Sequence, residues 1–286
     1  MHMEHDAAPR RPCGFFRAPA AMLLTNPAIT AGMLAAAPAL LAGGDAYAVA
    51  ASVEGYLALC LMAVLLSPKG ARLRWLGAGK ASPADIAGGV LAMLCLVPLL
   101  VLVAAVSAAI VPSSTLEIGE ATSAAMTEMG PAFRLLAFAL APALGEEVLC
   151  RGMLYAAARP YGRACAVVLP SVCFAVLHGN LQQCLYAFAA GILLSYIRDA
   201  SGSLWPCVAA HFAFNAVSAL PDGLPAIPAA AIAAGAAVLP WASAGIVRRM
   251  YRRRGRTEAP AEKGAAAFAA LTLASTAAAM AVGRIF

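Results

Sequence analysis

Residues 86–111 read IAGGVLAMLCLVPLLVLVAAVSAAIV. The run holds no charged side chain and exceeds the roughly 20 apolar residues that a helix needs to cross a hydrocarbon core. Inside lipid only a helix or a closed barrel satisfies every backbone N–H and C=O. No period-2 alternation supports a barrel, so the run reads as a membrane helix. Further runs of spanning length lie at 20–43, 46–67, 132–157, 162–180, 181–199, 203–220, 225–247 and 264–283. The first is the weakest of the early ones, broken by Pro27 and Pro38. The reading is an all-α, polytopic transmembrane bundle of about eight or nine spans.

Composition agrees. Of 286 residues, 62% are hydrophobic and 12% are charged, about half the roughly 25% charged share of soluble domains. Mean hydropathy is +0.80. Such a chain cannot cover a soluble surface, so an ordinary soluble enzyme, a disordered chain and a nucleic-acid-binding domain are excluded. The net charge of +6 sits mostly at the ends of the apolar runs, where it sets orientation. The loop 68–85 carries Lys69, Arg72, Arg74 and Lys80; 158–163 carries Arg159 and Arg163; the next inner turn carries Arg198; 248–263 carries a block from Arg248 to Arg256, then Lys263. On the alternating side, 112–131 holds Glu117, Glu120 and Glu128 without Lys or Arg, and 221–224 holds only Asp222. The amino terminus is therefore expected inside and, with nine spans, the carboxyl terminus outside. Trp75, Trp205 and Tyr251 fall near the inner ends, as interfacial anchors do.

Residues 1–19 lack the apolar core of a signal peptide and read as a short cytoplasmic tail, with His2 and His5 solvated. Residues 20–285 read as one membrane domain of a multi-pass protein, expected in the cell membrane. The eight cysteines contain no CxxC pair. Seven lie in or beside apolar runs, so they are read as small buried hydrophobes rather than a disulfide framework or zinc ribbon.

Ionisable residues within membrane runs are functional hypotheses by default. They cluster between 146 and 215. In Gly145-Glu146-Glu147-Val148-Leu149-Cys150-Arg151, Glu147 and Arg151 stand i,i+4 with the acid first, the favourable ion-pair order. Glu146 points about 100° away and must face something else. In Phe174-Ala-Val-Leu-His178, the aromatic ring and the imidazole share a helix face near its end, before a turn at Gly179 and Asn180. Pro170 is expected to kink that helix. In His211-Phe-Ala-Phe-Asn215, two polar side chains project from one face of an apolar helix and need partners. At 1.5 Å per residue, Glu146 lies about 17 Å, His178 about 24 Å, His211 about 12 Å and Asn215 about 18 Å from the inner ends of their runs. The four are expected to meet in one cavity in the membrane, with His178 the outlier.

A carboxylate and a histidine together can take a proton from water, while a second histidine and an asparagine can donate to an oxyanion. That set suits hydrolysis of an acyl bond, most naturally a peptide. The same Glu and His residues could instead hold zinc, although no HExxH is present.

The three motifs, Glu146-Glu147-xxx-Arg151, Phe174-xxx-His178 and His211-xxx-Asn215, resemble those of the CPBP family, the CAAX proteases and bacteriocin-processing (Abi) enzymes. The resemblance covers roughly residues 130–220. It implies a helical intramembrane endopeptidase. It implies that Glu146 is the general base acting with His178 on water, and that His211 and Asn215 stabilise the oxyanion. Glu147 then supports the site, Arg151 orients the acidic pair, and Phe174 belongs to the supporting set. Both glutamate-type and metal-dependent enzymes are described in the family; a metal, if used, would take Glu146, His178 and His211. The implied partner is a peptide or protein substrate, prenylated or membrane-bound, beside the lipid bilayer itself.

Two other classes compete. A non-catalytic scaffold or immunity protein could share the fold, but it has no need of Asn215 beside His211. A proton-coupled transporter suits buried acids and histidines, but no inverted repeat is visible. Cys150, i+4 from Glu146, is disfavoured as a nucleophile by its acidic neighbours. Glu54, Ser171, Ser195 and the methionines Met62, Met93 and Met153 are read as structural.

Overall fold

The computed structural model describes residues 15–35, 44–110, 129–179, 181–219, 227–255 and 265–283. Among them there is no strand. The helices are α1 (Arg17–Ala35), α2 (Gly44–Leu66), a short α3 (Arg72–Leu76), α4 (Pro83–Ile110), α5 (residues 131–161), α6 (Arg163–Leu177), α7 (Leu181–Ser201), α8 (Trp205–Ser218), α9 (Ala229–Arg254) and α10 (Ala265–Gly283). Apart from α3, each falls on one of the apolar runs.

Proline breaks less than expected. Pro27 lies within α1 without ending it, because a helix in apolar surroundings keeps the remaining bonds for want of a competing solvent. Pro170 is buried inside α6. Pro38 lies outside the described residues, as do His2, His5, Cys13, the acids at 117–128, Asn180, Asp222, Arg256 and Lys263.

Among the described residues two helices, α4 and α9, are long and apolar enough on their own to cross a membrane. The run at 162–180 shortens to the 15 residues of α6, and that at 203–220 to the 14 of α8. Gly162, at φ +99°, separates α6 from α5, and Gly179, at φ +64°, follows its end; both adopt a backbone that a side chain resists. Many large side chains facing outward are apolar, among them Leu57, Leu61 and Leu65 on α2, Val101 and Ile110 on α4, and Trp241 on α9.

Two cores form. One joins α1, α2, α5, α6 and α10 around Met22, Leu59, Leu149, Met153 and Phe268. The other joins α4, α7, α8 and α9 around Met93, Leu194, Ile197, Val247 and Met250. Gly89 lets α4 meet the start of α8, where a Cβ would come within 2.8 Å of the Pro206 carbonyl.

The basic loops gather at one end of the bundle, held by two acids. Asp199 accepts from Arg163 at 2.8 Å and from the Tyr251 hydroxyl at 2.7 Å, with Arg159 at 3.4 Å and the Tyr155 hydroxyl also bonded to it. Asp85 pairs with Arg254 at 2.9 Å. Some expected loop charges and anchors therefore do structural work. Arg198 is buried, donating to the Arg151 carbonyl at 3.0 Å and lying over the Tyr155 ring. Trp205 donates to the Ala78 carbonyl at 3.2 Å, and Trp75 packs on the first core.

Candidate active site

The site lies where the two cores meet. Helix α5 supplies the acids. It runs from Pro131 to Tyr161 without a break but changes pitch: α over Ala141–Glu147, then π over Val148–Leu154, after an earlier π stretch at Leu136–Leu140. Glu146 and Glu147 stand at the last turn before the second π segment. π-Bulges cluster at functional sites because they re-aim side chains while the helix continues.

Glu147 and Arg151 are fully buried and paired at 2.8 Å, as the i,i+4 spacing predicts. The same Glu147 Oε1 lies 2.9 Å from His211 Nδ1. A carboxylate paired to arginine can only accept, so Nδ1 carries the hydrogen and His211 presents Nε2 away from Glu147. Arg151 also donates to the Gly191 carbonyl of α7 at 3.0 Å. A Cβ on Gly191 would lie 3.1 Å from that guanidinium and from the Ser171 backbone, so glycine permits the approach. Arg151 thus holds Glu147 and α7, and makes no bond to Glu146.

Glu146 does point elsewhere. It is 24% exposed, and its Oε1 accepts from the Tyr56 hydroxyl of α2 at 3.1 Å. Its Oε2 lies 3.9 Å from His211 Nε2, beyond direct bonding but near enough for one water beside the gap to reach both. The acid left over by the Glu147–Arg151 pair is therefore the one that faces open space.

Phe174 joins the motifs. The Arg151 guanidinium lies 4.6 Å over its ring, and the His178 and His211 rings stand edge-on to it at 4.7 and 5.6 Å. His178 follows the last residue of α6, with Nδ1 2.8 Å from the Phe174 carbonyl. A carbonyl also only accepts, so His178 too presents Nε2 outward.

The four residues expected to share one cavity line two adjoining ones. Glu146 and His178 line a cavity of about 280 Å³ with Tyr56, Cys150, Thr25 and Asn26. His178, His211 and Asn215 line a second of about 110 Å³ with Gln183 and Tyr186. Phe174 and His178 belong to both, because α6 ends between α5 and α8.

With this arrangement in view, residues 128–217 match the family model described as type II CAAX prenyl endopeptidase Rce1-like. That stretch is similar to the CAAX-protease (CPBP) family. That match spans all three motifs. No curated protein and no solved structure matches the chain.

Within the matched stretch, the metal alternative is not supported. Among the described residues no three His, Cys, Asp or Glu side chains converge as metal ligands would. Glu146, His178 and His211 are spread over two cavities, with one nitrogen of each histidine committed to a protein oxygen. Cys150 is buried in the wall of the Glu146 cavity. Met62, Met93 and Met153 are core, and Ser171 and Ser195 lie 3.3 Å apart in a buried contact.

Sequence reasoning missed Tyr56. The signal was a tyrosine in mid-run, whose hydroxyl needs a partner when buried. Gly145 also has a role not read from sequence: a Cβ there would lie 2.5 Å from the Tyr56 ring.

Proposed function

We propose that the chain is a multi-pass intramembrane endopeptidase of the CAAX-protease type, hydrolysing a peptide bond with a water activated by Glu146 and His178. The observation that carries this is the division of labour between two adjacent acids. Glu147 is buried, paired and used to fix His211, while Glu146, bonded by the Tyr56 hydroxyl but paired with no arginine, faces a cavity it shares with His178. A structural role alone asks for no such carboxylate without a cation.

In this reading Glu146 takes a proton from water as the oxygen attacks the carbonyl carbon, and His178 Nε2 orients that water. The Asn215 amide donates to the developing oxyanion, as does His211 Nε2 when both ring nitrogens are protonated. The proton then passes to the leaving nitrogen as the C–N bond breaks. No metal enters any step. Residues 130–220 form the catalytic core of a single membrane domain, 20–285, behind a cytoplasmic tail at 1–19. The bundle crosses the bilayer eight or nine times, in keeping with the many large apolar side chains that face outward, and its basic end lies inside. The substrate is a peptide or protein at the membrane, with a prenylated carboxyl terminus the first to test.

The test is cleavage of farnesylated and unmodified peptides by the protein in lipid vesicles, followed by mass spectrometry, with and without a chelator. Glu146→Gln should lower the rate by about 10²–10⁴-fold. Cleavage that survives the substitution would overturn the assignment of Glu146. Cleavage stopped by chelator alone would overturn the metal-free mechanism.

A further inference from the structure

A cavity of about 410 Å³ lies between α4, α7 and α9, away from the acids and histidines, and its size is that of a small-molecule site. Helix α7 separates it from the catalytic cavities: Ala189, Ile192, Leu193 and Tyr196 face it, whereas Ala187, Ala190 and Leu194 face His211. Its walls are apolar apart from Tyr196 of α7 and a graded set of polar groups on α9.

Ser243 is 2% exposed, lines this cavity, and its hydroxyl has no hydrogen-bond partner among the described residues. That is not how hydroxyls in these helices usually behave. Thr25, Ser67, Ser171, Thr272 and Thr276 each bond the carbonyl four residues back. A buried hydroxyl without a partner is costly, so the group points to a ligand. Five residues on, about 7.5 Å along the helix, the exposed Arg248 stands at the cavity's basic end. Tyr251, tied to Asp199, closes that end.

We propose that this cavity binds one anionic phospholipid. Its phosphate pairs with Arg248, an ester carbonyl accepts from Ser243, and an acyl chain lies along Leu96, Ile192 and Leu193. An apolar throat, a donor within it and a cation at its mouth is the order of groups along a phospholipid, and the arginine-rich end of the bundle attracts the anionic kind. The inference rests on the bundle crossing the bilayer, as proposed above, and is independent of proteolysis.

The test uses purified protein exchanged into micelles containing phosphatidylglycerol or phosphatidylcholine, with retained lipid counted by native mass spectrometry. Phosphatidylglycerol should be retained over phosphatidylcholine by about fivefold. Arg248→Gln should bring the two to parity, while Arg249→Gln, outside the cavity, should leave the preference intact. Ser243→Leu, which fills the throat, should lower retention of both lipids. Since Arg248 and Arg249 are both exposed, that pair decides the matter even if the Ser243 variant folds poorly. Equal loss in the two arginine variants would mean a diffuse field and overturn the site. Displacement by excess inorganic phosphate would reduce it to a phosphate site, and displacement by farnesylated peptide would make it a substrate subsite; either overturns the lipid assignment. Retained lipid in a protein that cleaves nothing would count against the protease alone.

Discussion

The two neighbouring acids make opposite predictions. Glu147 is fully buried between Arg151 and His211. Glu147→Gln leaves the Arg151 charge buried and unpaired, a change that costs about 3–5 kcal/mol. Glu146→Gln keeps an oxygen for the Tyr56 hydroxyl and strands no charge. We therefore expect Glu147→Gln to lower the melting temperature in detergent sharply and Glu146→Gln to leave it within about 1 kcal/mol of wild type. The same melt for both variants would sink the division of roles. Tyr56→Phe removes one hydrogen bond to a charged group, so cleavage should fall about tenfold with little loss of stability. Legibility at this scale followed distance along the chain. The Glu147–Arg151 pair was readable because both residues lie on one helix at i,i+4. The Glu147–His211 and Tyr56–Glu146 bonds join residues on separate helices, and nothing in a single sequence sets which helices touch.

At the scale of the element, what matters is how α5 carries the acids. The apolar run at 132–157 promised one helix, and one continuous helix is present, but its two π segments were not legible. An extra residue per turn leaves no mark in composition, since it arises from packing against neighbours rather than from propensity. Gly145 shows the packing involved. The contact of α2 with α5 leaves no room for a Cβ there, because the Tyr56 ring occupies the space. Gly145→Ala should cost about 1–3 kcal/mol through overpacking and should move Tyr56 off Glu146. If so, Gly145→Ala combined with Tyr56→Phe should lose no more cleavage than Gly145→Ala alone. Losses that simply multiply would show that the two residues act independently.

For the whole molecule, the order of helices was legible because each apolar run ends at glycine, proline or charge. The gathering of the basic loops was legible for the same reason, but the means was not. Asp199 reads as one acid at the end of an amphipathic helix, yet it holds α5, α6 and α9 together through Arg159, Arg163, Tyr155 and Tyr251. That hub fixes the ends of helices whose basic residues set orientation, so it makes the topology testable at few sites. The chain has only three lysines, Lys69, Lys80 and Lys263. Lys69 and Lys80 are exposed on the loop joining α2 to α4, and Lys263 follows the arginine block after α9. In the orientation proposed from charge bias all three lie on one side, the inner one. A membrane-impermeant amine reagent applied to intact cells should therefore modify none of them, and modification should appear at Lys69 and Lys80 together once the membrane is opened. Labelling of either from outside would invert the bundle. Labelling of Lys263 alone from outside would mean an odd number of crossings between Lys80 and Lys263, removing a span such as α9 or adding one. Intact cells in which all three stay silent until lysis would place Asp199 and its arginines at the inner face, with Glu146 roughly 20 Å inward from that end of its helix, deep enough that a substrate of the proposed protease must enter through the bilayer side of the bundle or down from its basic end.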